Sequence, residues 1–250
     1  GWSRCEDLEK GKANTAGSYI IHAVEGGYRA QYKSWRRPDE GYQHWASGDA
    51  VELSDAEIDA REQRAEQQQR DQESKYAQAR LKAIAEWSAA KPCSSHPYLT
   101  NKNVPSHGLR VGGGTLLIPM QSLSGKTFSL QRIDRDGNKR FMSGGKTKGM
   151  VFVIGDLIDG EPICIAEGYA TAASIHRATG WSVVTAFSAN NMVTVAPDVK
   201  ERFQNNQVLL CGDNDKNGTG QKVAKKAATL VSGVAAVPPV LGDWNDYETE

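Results

Sequence analysis

From residue 162 onward the chain repeats one pattern, and that pattern restricts the fold more than anything else in it. Short apolar runs alternate with helix-length amphipathic segments. PICIA (162–166) precedes YATAASIHRATG (169–180), and WSVVTAF (181–187) precedes VTVAPDVKERF (193–203). QVLLCG (207–212) precedes TGQKVAKKAATLVSG (219–233), and VAAVPP (234–239) closes the series. Strands of this length with no polar alternation are buried on both faces, so the spacing predicts a parallel sheet covered by helices on both sides. Ligands of such sheets bind beyond the carboxyl ends of the strands.

Acids occupy those ends. Glu167 follows the first strand, Asp213 and Asp215 the third, and Asp243 and Asp246 the fourth. Two carboxylates at about 4 Å repel by roughly 4 kcal/mol at an effective dielectric near 20, so water or a cation must absorb the charge. A solvated Asp/Asn/Gly turn is one reading of CGDNDKNGTGQ, and N-capping of the following helices is another. A calcium loop fails, because its twelfth position is Ala224 where a bidentate Glu is required. A magnesium site sharing phosphate oxygens with a substrate fits the whole set, whereas capping explains one acid only.

Upstream, TLLIPM (115–120), KTFSLQRI (126–133), KRFMSG (139–144) and MVFVIG (150–155) read as a meander, with a hairpin turn at Asp136-Gly137-Asn138. Residues 101–150 carry nine Lys/Arg and two acids, residues 151–250 seven Lys/Arg and twelve acids. Arg132, Arg135, Lys139, Arg140, Lys146 and Lys148 mix with Phe128 and Phe141. Either a nucleic-acid surface or a solvated sheet face over two core Phe fits that mixture. Ser54-Asp55-Ala56-Glu57 is a capping box, and no Gly or Pro follows until Pro92, which predicts a helix of about 35 residues, roughly 50 Å long. Its first half is polar all round; its second half is expected to dock through Tyr76, Ala77, Leu81, Ile84 and Trp87. Residues 18–35 read as a hairpin turning at Glu25-Gly26-Gly27, followed by Trp35, Arg36 and Arg37 as a packed edge. The expected divisions are 1–53, the long helix 54–90, a basic α+β subdomain 91–158 and the α/β domain 159–250.

The chain has 250 residues and equal numbers of acids and bases, 30 each. It has no run of 18 apolar residues and no signal-peptide pattern, so neither a membrane span nor a membrane partner is expected. Four scattered cysteines suit a reducing cytoplasm; Cys93 and His96 lack a second zinc pair, and Cys164 and Cys211 sit in strand-like runs. The sequence begins with Gly1 and not Met, which fits a fragment or a tagged chain.

IAEGYATAASI, AFSANNM, LLCGDNDKNGTGQKVAKKAA and GDWNDYE resemble a Toprim domain, with HPYLTNKNV and SLQRIDRDGNKRFMSGGKTKG similar to conjugative-plasmid and satellite-phage primases of the DnaG-like class. The resemblance covers about 94–250 and implies a Rossmann-like α/β fold. It implies synthesis of RNA primers on a single-stranded DNA template from ribonucleoside triphosphates with Mg2+ or Mn2+, and replication, helicase or transfer proteins as partners. By position it makes Glu167, Asp213 and Asp215 catalytic metal-site residues, Lys139, Arg140, Lys146 and Lys148 the basic motif, and Asn191 a polar residue near the site. The zinc module usual upstream in such primases has no counterpart among these cysteines. A Toprim nuclease and a catalytically weak single-strand-binding module are the alternative functions.

Overall fold

The computed structural model describes residues 3–5, 17–24, 26–34, 42–48 and 55–249. The chain divides into two units, Gly1–Gln69 and Arg70–Glu250. The first contains a four-stranded antiparallel sheet of β1 (Ser3–Cys5), β2 (Gly17–Val24), β3 (Gly27–Ser34) and β4 (Gln43–Gly48), in that order. The hairpin expected over 18–35 is present as β2 and β3, with Val24 paired to Gly27. Glu25, the Trp35–Arg37 cluster and Ser54 of the capping box lie outside the described residues.

Helix α1 (Asp55–Ala89) has the expected 35 residues. From Arg61 to Lys75 it is exposed, as a helix polar all round must be. Its docking face differs from the one expected. Ala79, Ala83 and Ala90 are buried against Leu117, Leu130 and Met142, whereas Leu81 is 70% and Ile84 40% exposed. Small side chains at helical spacing let the helix lie close on a sheet, and longer ones flank it: Arg80 Nε donates to Thr127 O at 3.0 Å with its guanidinium 4.6 Å from the Phe128 ring. Tyr76 and Trp87 keep the half-buried places assigned to them.

Behind α1 an antiparallel sheet runs in the order β5 (Lys91–Pro92), β6 (Arg110–Gly112), β7 (Thr115–Gln121), β8 (Thr127–Ile133) and β9 (Lys139–Phe141), with α2 (Pro97–Asn101) between β5 and β6. His96 caps α2, its Nδ1 accepting from Tyr98 N, and plays no part in a metal site with Cys93. The β8–β9 turn is tied by Asp134, whose Oδ1 accepts from the amides of Asp136 and Asn138.

MVFVIG leaves this meander. Apart from the bridge between Gln121 and Val151, it pairs elsewhere: β10 (Phe152–Ile154) joins the second sheet, antiparallel to β12 (Ser182–Thr185). A strand apolar on both faces has no place at a half-solvated edge. Here Val151 packs on one core while Phe152 and Ile154 pack on the other.

The second sheet has the order β10-β12-β11-β13-β14, where β11 is Ile163–Ala166, β13 Val208–Cys211 and β14 Val234–Ala236. All its neighbours other than β10 and β12 are parallel. Residues alternate between two cores along each strand. Cys164, Ala166 and Val183 meet α3 (Tyr169–Thr179). Ile163, Ile165 and Leu210 meet α4 (Ala189–Arg202) and α5 (Thr219–Val231). The short α6 (Trp244–Thr249) lies on the α3 side. Helices therefore cover both faces, as the alternation demands. Helix α4 starts four residues before the expected 193, because Ser188 caps it by accepting from Asn191 N. Among the described residues no helix is long and apolar enough to cross a membrane.

Candidate active site

In the strand order, β11 stands between β12 and β13. The chain passes from β11 through α3 to one side and later returns to the other, so the crevice at the carboxyl end of β11 is the topological switch point. Glu167 is the first residue beyond that end. Burial raises its pKa first, and the charge of Asp215 adds to this; Lys139 and the backbone N–H of Ala189 work against it. Asp213 follows β13 on the same rim. Burial and then the charges of Glu167, Asp243 and Asp215 push its carboxyl up to about 7, with Lys139 opposing. Its Oδ1 is buried and has no hydrogen-bond partner.

Asp215 is exposed, and its Oδ2 accepts from Gly220 N at 2.8 Å, at the start of α5. The loop folds onto that helix so closely that a Cβ at Gly220 would sit 2.4 Å from Asp213 O. Asn214, between the two aspartates, turns the other way. Its Nδ2 donates to Pro238 O at 3.0 Å and Val240 O at 2.9 Å, and its backbone pairs with Gly242. This residue, overlooked in the sequence, ties the Asp243 loop to the end of β13. Asp243 in turn accepts from the amides of Asn245 and Asp246 through Oδ1.

Four carboxylates from three loops thus act on one another, and Lys139 from β9 faces them, its Nζ 3.9 Å from where a Gly168 Cβ would lie. The donor set suits a hard divalent cation held by few carboxylates with water completing its shell. The orphaned Oδ1 of Asp213 is an acceptor that such an ion would satisfy. Among the described residues no three His, Cys, Asp or Glu side chains stand close enough together to hold an ion between them.

Residues 162–250 match the Toprim domain family, whose span contains Glu167, Asp213, Asp215 and Asp243. Over this segment the chain is similar to a Toprim domain. The chain is similar to two proteins of Escherichia coli, each described as DNA primase TraC. It is 33% identical to one over 172 residues, covering 62% of this chain and 16% of the relative. It is 33% identical to the other over 164 residues, covering 60% and 11%. The chain therefore spans less than one fifth of these relatives' length. The primase fragment of the bacteriophage T7 primase-helicase protein shares its fold, with a TM-score of 0.52 and 19% identity over 65% of this chain and 72% of that one.

Around the Toprim rim, the other expected site residues divide by what they touch. Lys139, Arg140, Lys148 and Arg135 are exposed, and Lys146 is half-buried with its Nζ 5.6 Å from the Phe128 ring centre. Arg132 is engaged elsewhere. It grips Glu86 of α1 through two bonds, 2.8 and 2.5 Å, and so fastens the helix to β8 instead of facing a ligand. Asp246, expected among the metal ligands, pairs with Lys102 at 2.9 Å while its Oδ2 accepts from Asp243 N. It closes the turn that holds Asp243 and does not add to the carboxylate group.

Asn191 is a clamp between the start of α4 and the basic loop before β10. Its Oδ1 accepts from Gly149 N at 2.8 Å, and its Nδ2 donates to Met150 O at 2.9 Å and Ala186 O at 2.7 Å. With 8% exposure and its amide fully engaged, it anchors the basic loop to the start of α4. Leaving those backbone groups unpaired costs about 1–3 kcal/mol each. Asn191→Ala is expected to lower stability by roughly 3 kcal/mol in a urea melt. A substitution that weakens nucleotide binding with an unchanged melt would contradict the clamp. Tyr169 is likewise structural, its hydroxyl donating to Pro105 O at 2.7 Å from a fully buried ring. Phe187, just past β12, holds φ at 67°, a strained value for a bulky residue, and meets Phe141 edge-on at 6.4 Å.

Proposed function

We propose that this chain is the nucleotidyl-transfer core of a DNA primase, extending ribonucleotides on a single-stranded DNA template. The observation that carries this reading is the buried, unpartnered Oδ1 of Asp213 amid Glu167, Asp215 and Asp243, opposite Lys139. The likeness to DNA primases TraC supports it.

In this reading Asp213 and Asp215 would hold a magnesium or manganese ion. Such an ion would lower the pKa of the attacking 3′ hydroxyl and offset charge on the leaving pyrophosphate. The chain's own groups do the rest. Glu167, with its pKa raised by burial and by Asp215, is placed to take the hydroxyl proton. Lys139 faces the same rim and neutralises the triphosphate. Arg140, Lys146 and Lys148 hold the phosphate backbone of the strand. Gly168 leaves the N-terminus of α3 without a capping side chain, a terminus suited to an anion.

The test is template-directed synthesis: the chain, an unlabelled single-stranded template, labelled ribonucleotides and magnesium. Short RNA products that disappear on chelation are expected. Shortening of the template in the absence of nucleotides would replace this reading with a nuclease. Tight strand binding with neither product would replace it with a binding module.

A further inference from the structure

Two depressions join beside the carboxylate rim. The nearer, about 250 Å³, is bounded by Phe141, Phe187, Ser188 and Asn190, and the adjoining Ala189 N–H is directed at Glu167. The farther, about 620 Å³, lies between the β7–β8 turn, the basic loop and the last turns of α4, with Tyr76 of α1 on its wall. Lys148 and Thr194 line both, so the two form one continuous groove. Lys146, Lys148 and Arg202 bring three positive charges to the far portion against the single carboxylate of Asp198. Ser122 and Ser124 add hydroxyls 2.9 Å apart.

We propose that this far portion, lined by Arg202 of α4 together with Lys146 and Lys148, carries the template strand away from the reacting nucleotide. The proposal rests on the primase reading and extends it to residues outside the basic motif. Charge complementarity decides the occupant. An open groove with an excess of cations, hydroxyls and one aromatic wall suits a sugar-phosphate backbone with a base stacked at its edge, and offers little to an apolar peptide. Lys139 and the near depression stand beside the rim, and the far depression continues from the near one through Lys148 and Thr194, a path suited to a longer strand. Lys146 is steadied by Phe128, and Arg202 projects from a helix end, so both positions are fixed by packed elements.

The experiment compares wild type, Arg202→Ala and Arg202→Glu in binding fluorescein-labelled oligothymidylates of about 4 and about 16 nucleotides, the range of site sizes for single-strand grooves. Each is titrated across a series of KCl concentrations. Wild type is expected to bind the longer strand with the steeper salt dependence. Arg202→Ala should weaken the longer strand about 5-fold and lower its salt slope by roughly 0.7, the value for one phosphate contact on a single strand. Arg202→Glu should weaken it more, and the ratio of long- to short-strand affinity should shrink in both. Circular dichroism reports whether the exposed substitution leaves the fold intact. Affinity and slope equal to wild type in both variants would overturn the strand path while leaving the primase reading standing. Failure of wild type to bind either oligonucleotide would overturn both.

Discussion

Asp213→Asn is expected to abolish primer synthesis and, at the same time, to raise the melting temperature of the metal-free protein at pH 8. Both effects come from one feature: a half-buried carboxylate is held against Glu167, Asp243 and Asp215 with one oxygen unpaired. The folded-state pKa of about 7 lies above the ordinary value of 3.8. Folding therefore binds a proton between those values. The contribution of Asp213 is therefore fully present below about pH 4 and is lost as pH rises through about 7. An amide at this position removes the charge and with it the loss, so the pH dependence flattens in the variant. Synthesis moves the other way and should fall by more than about 100-fold, beyond the 10–100-fold typical of groups that only support a metal ligand. Magnesium should restore the wild-type melting temperature at pH 8 far more than at pH 5, since an ion binding only the folded state at 100 times its Kd adds about 2.7 kcal/mol. Differential scanning calorimetry with and without EDTA reads all of this. A stability difference between metal-free wild type and Asp213→Asn that does not change between pH 5 and 8 would be inconsistent with the site.

Gly220→Ala should damage the same site without touching a charge. The added methyl would sit 2.4 Å from Asp213 O and 3.0 Å from Asp213 N, both backbone atoms that yield only if the loop moves. Overpacking of this kind costs about 1–3 kcal/mol, or a drop of roughly 2–12 °C for a chain of this size. The displaced loop carries Asp213 and loosens the Gly220 N–H bond to Asp215. A shift of about 1 Å at reacting groups costs on the order of 100-fold in rate. Synthesis and melting are to be measured on the same preparation. Wild-type synthesis in a destabilised Gly220→Ala protein would show that the loop does not position the reaction.

The α/β half was legible because its strands are buried on both sides and cannot be written in any other pattern. Glu167, Asp213 and Asp215 could be placed on one rim from their positions after strand ends alone. Residues whose fate depends on a distant partner could not. Arg132 reads as one more base in a basic run, and only the position of α1 shows it fastened to Glu86. Asn191 and Asp246 have side chains that suit a ligand equally well, but backbone amides and Lys102 claim them first. The docking face of α1 was misjudged because alanines carry little hydrophobic signal, yet they are what allows close approach to β7 and β8. MVFVIG was assigned to the wrong sheet for a related reason: pairing partners of an all-apolar strand are set by which edge is covered, and no local pattern records that. Asn214 has a recognisable signal in hindsight, a polar amide between two aspartates, but its partners at Pro238 and Val240 are 24 and 26 residues away.

The account depends on a divalent ion being gathered at the carboxylate rim, and manganese binding measured by electron paramagnetic resonance at pH 8 tests that most directly. Wild type should take up Mn2+ that Mg2+ displaces, and both Asp213→Asn and Asp215→Asn should bind it at least about tenfold more weakly. Equal uptake of Mn2+ by wild type and Asp213→Asn would contradict the account.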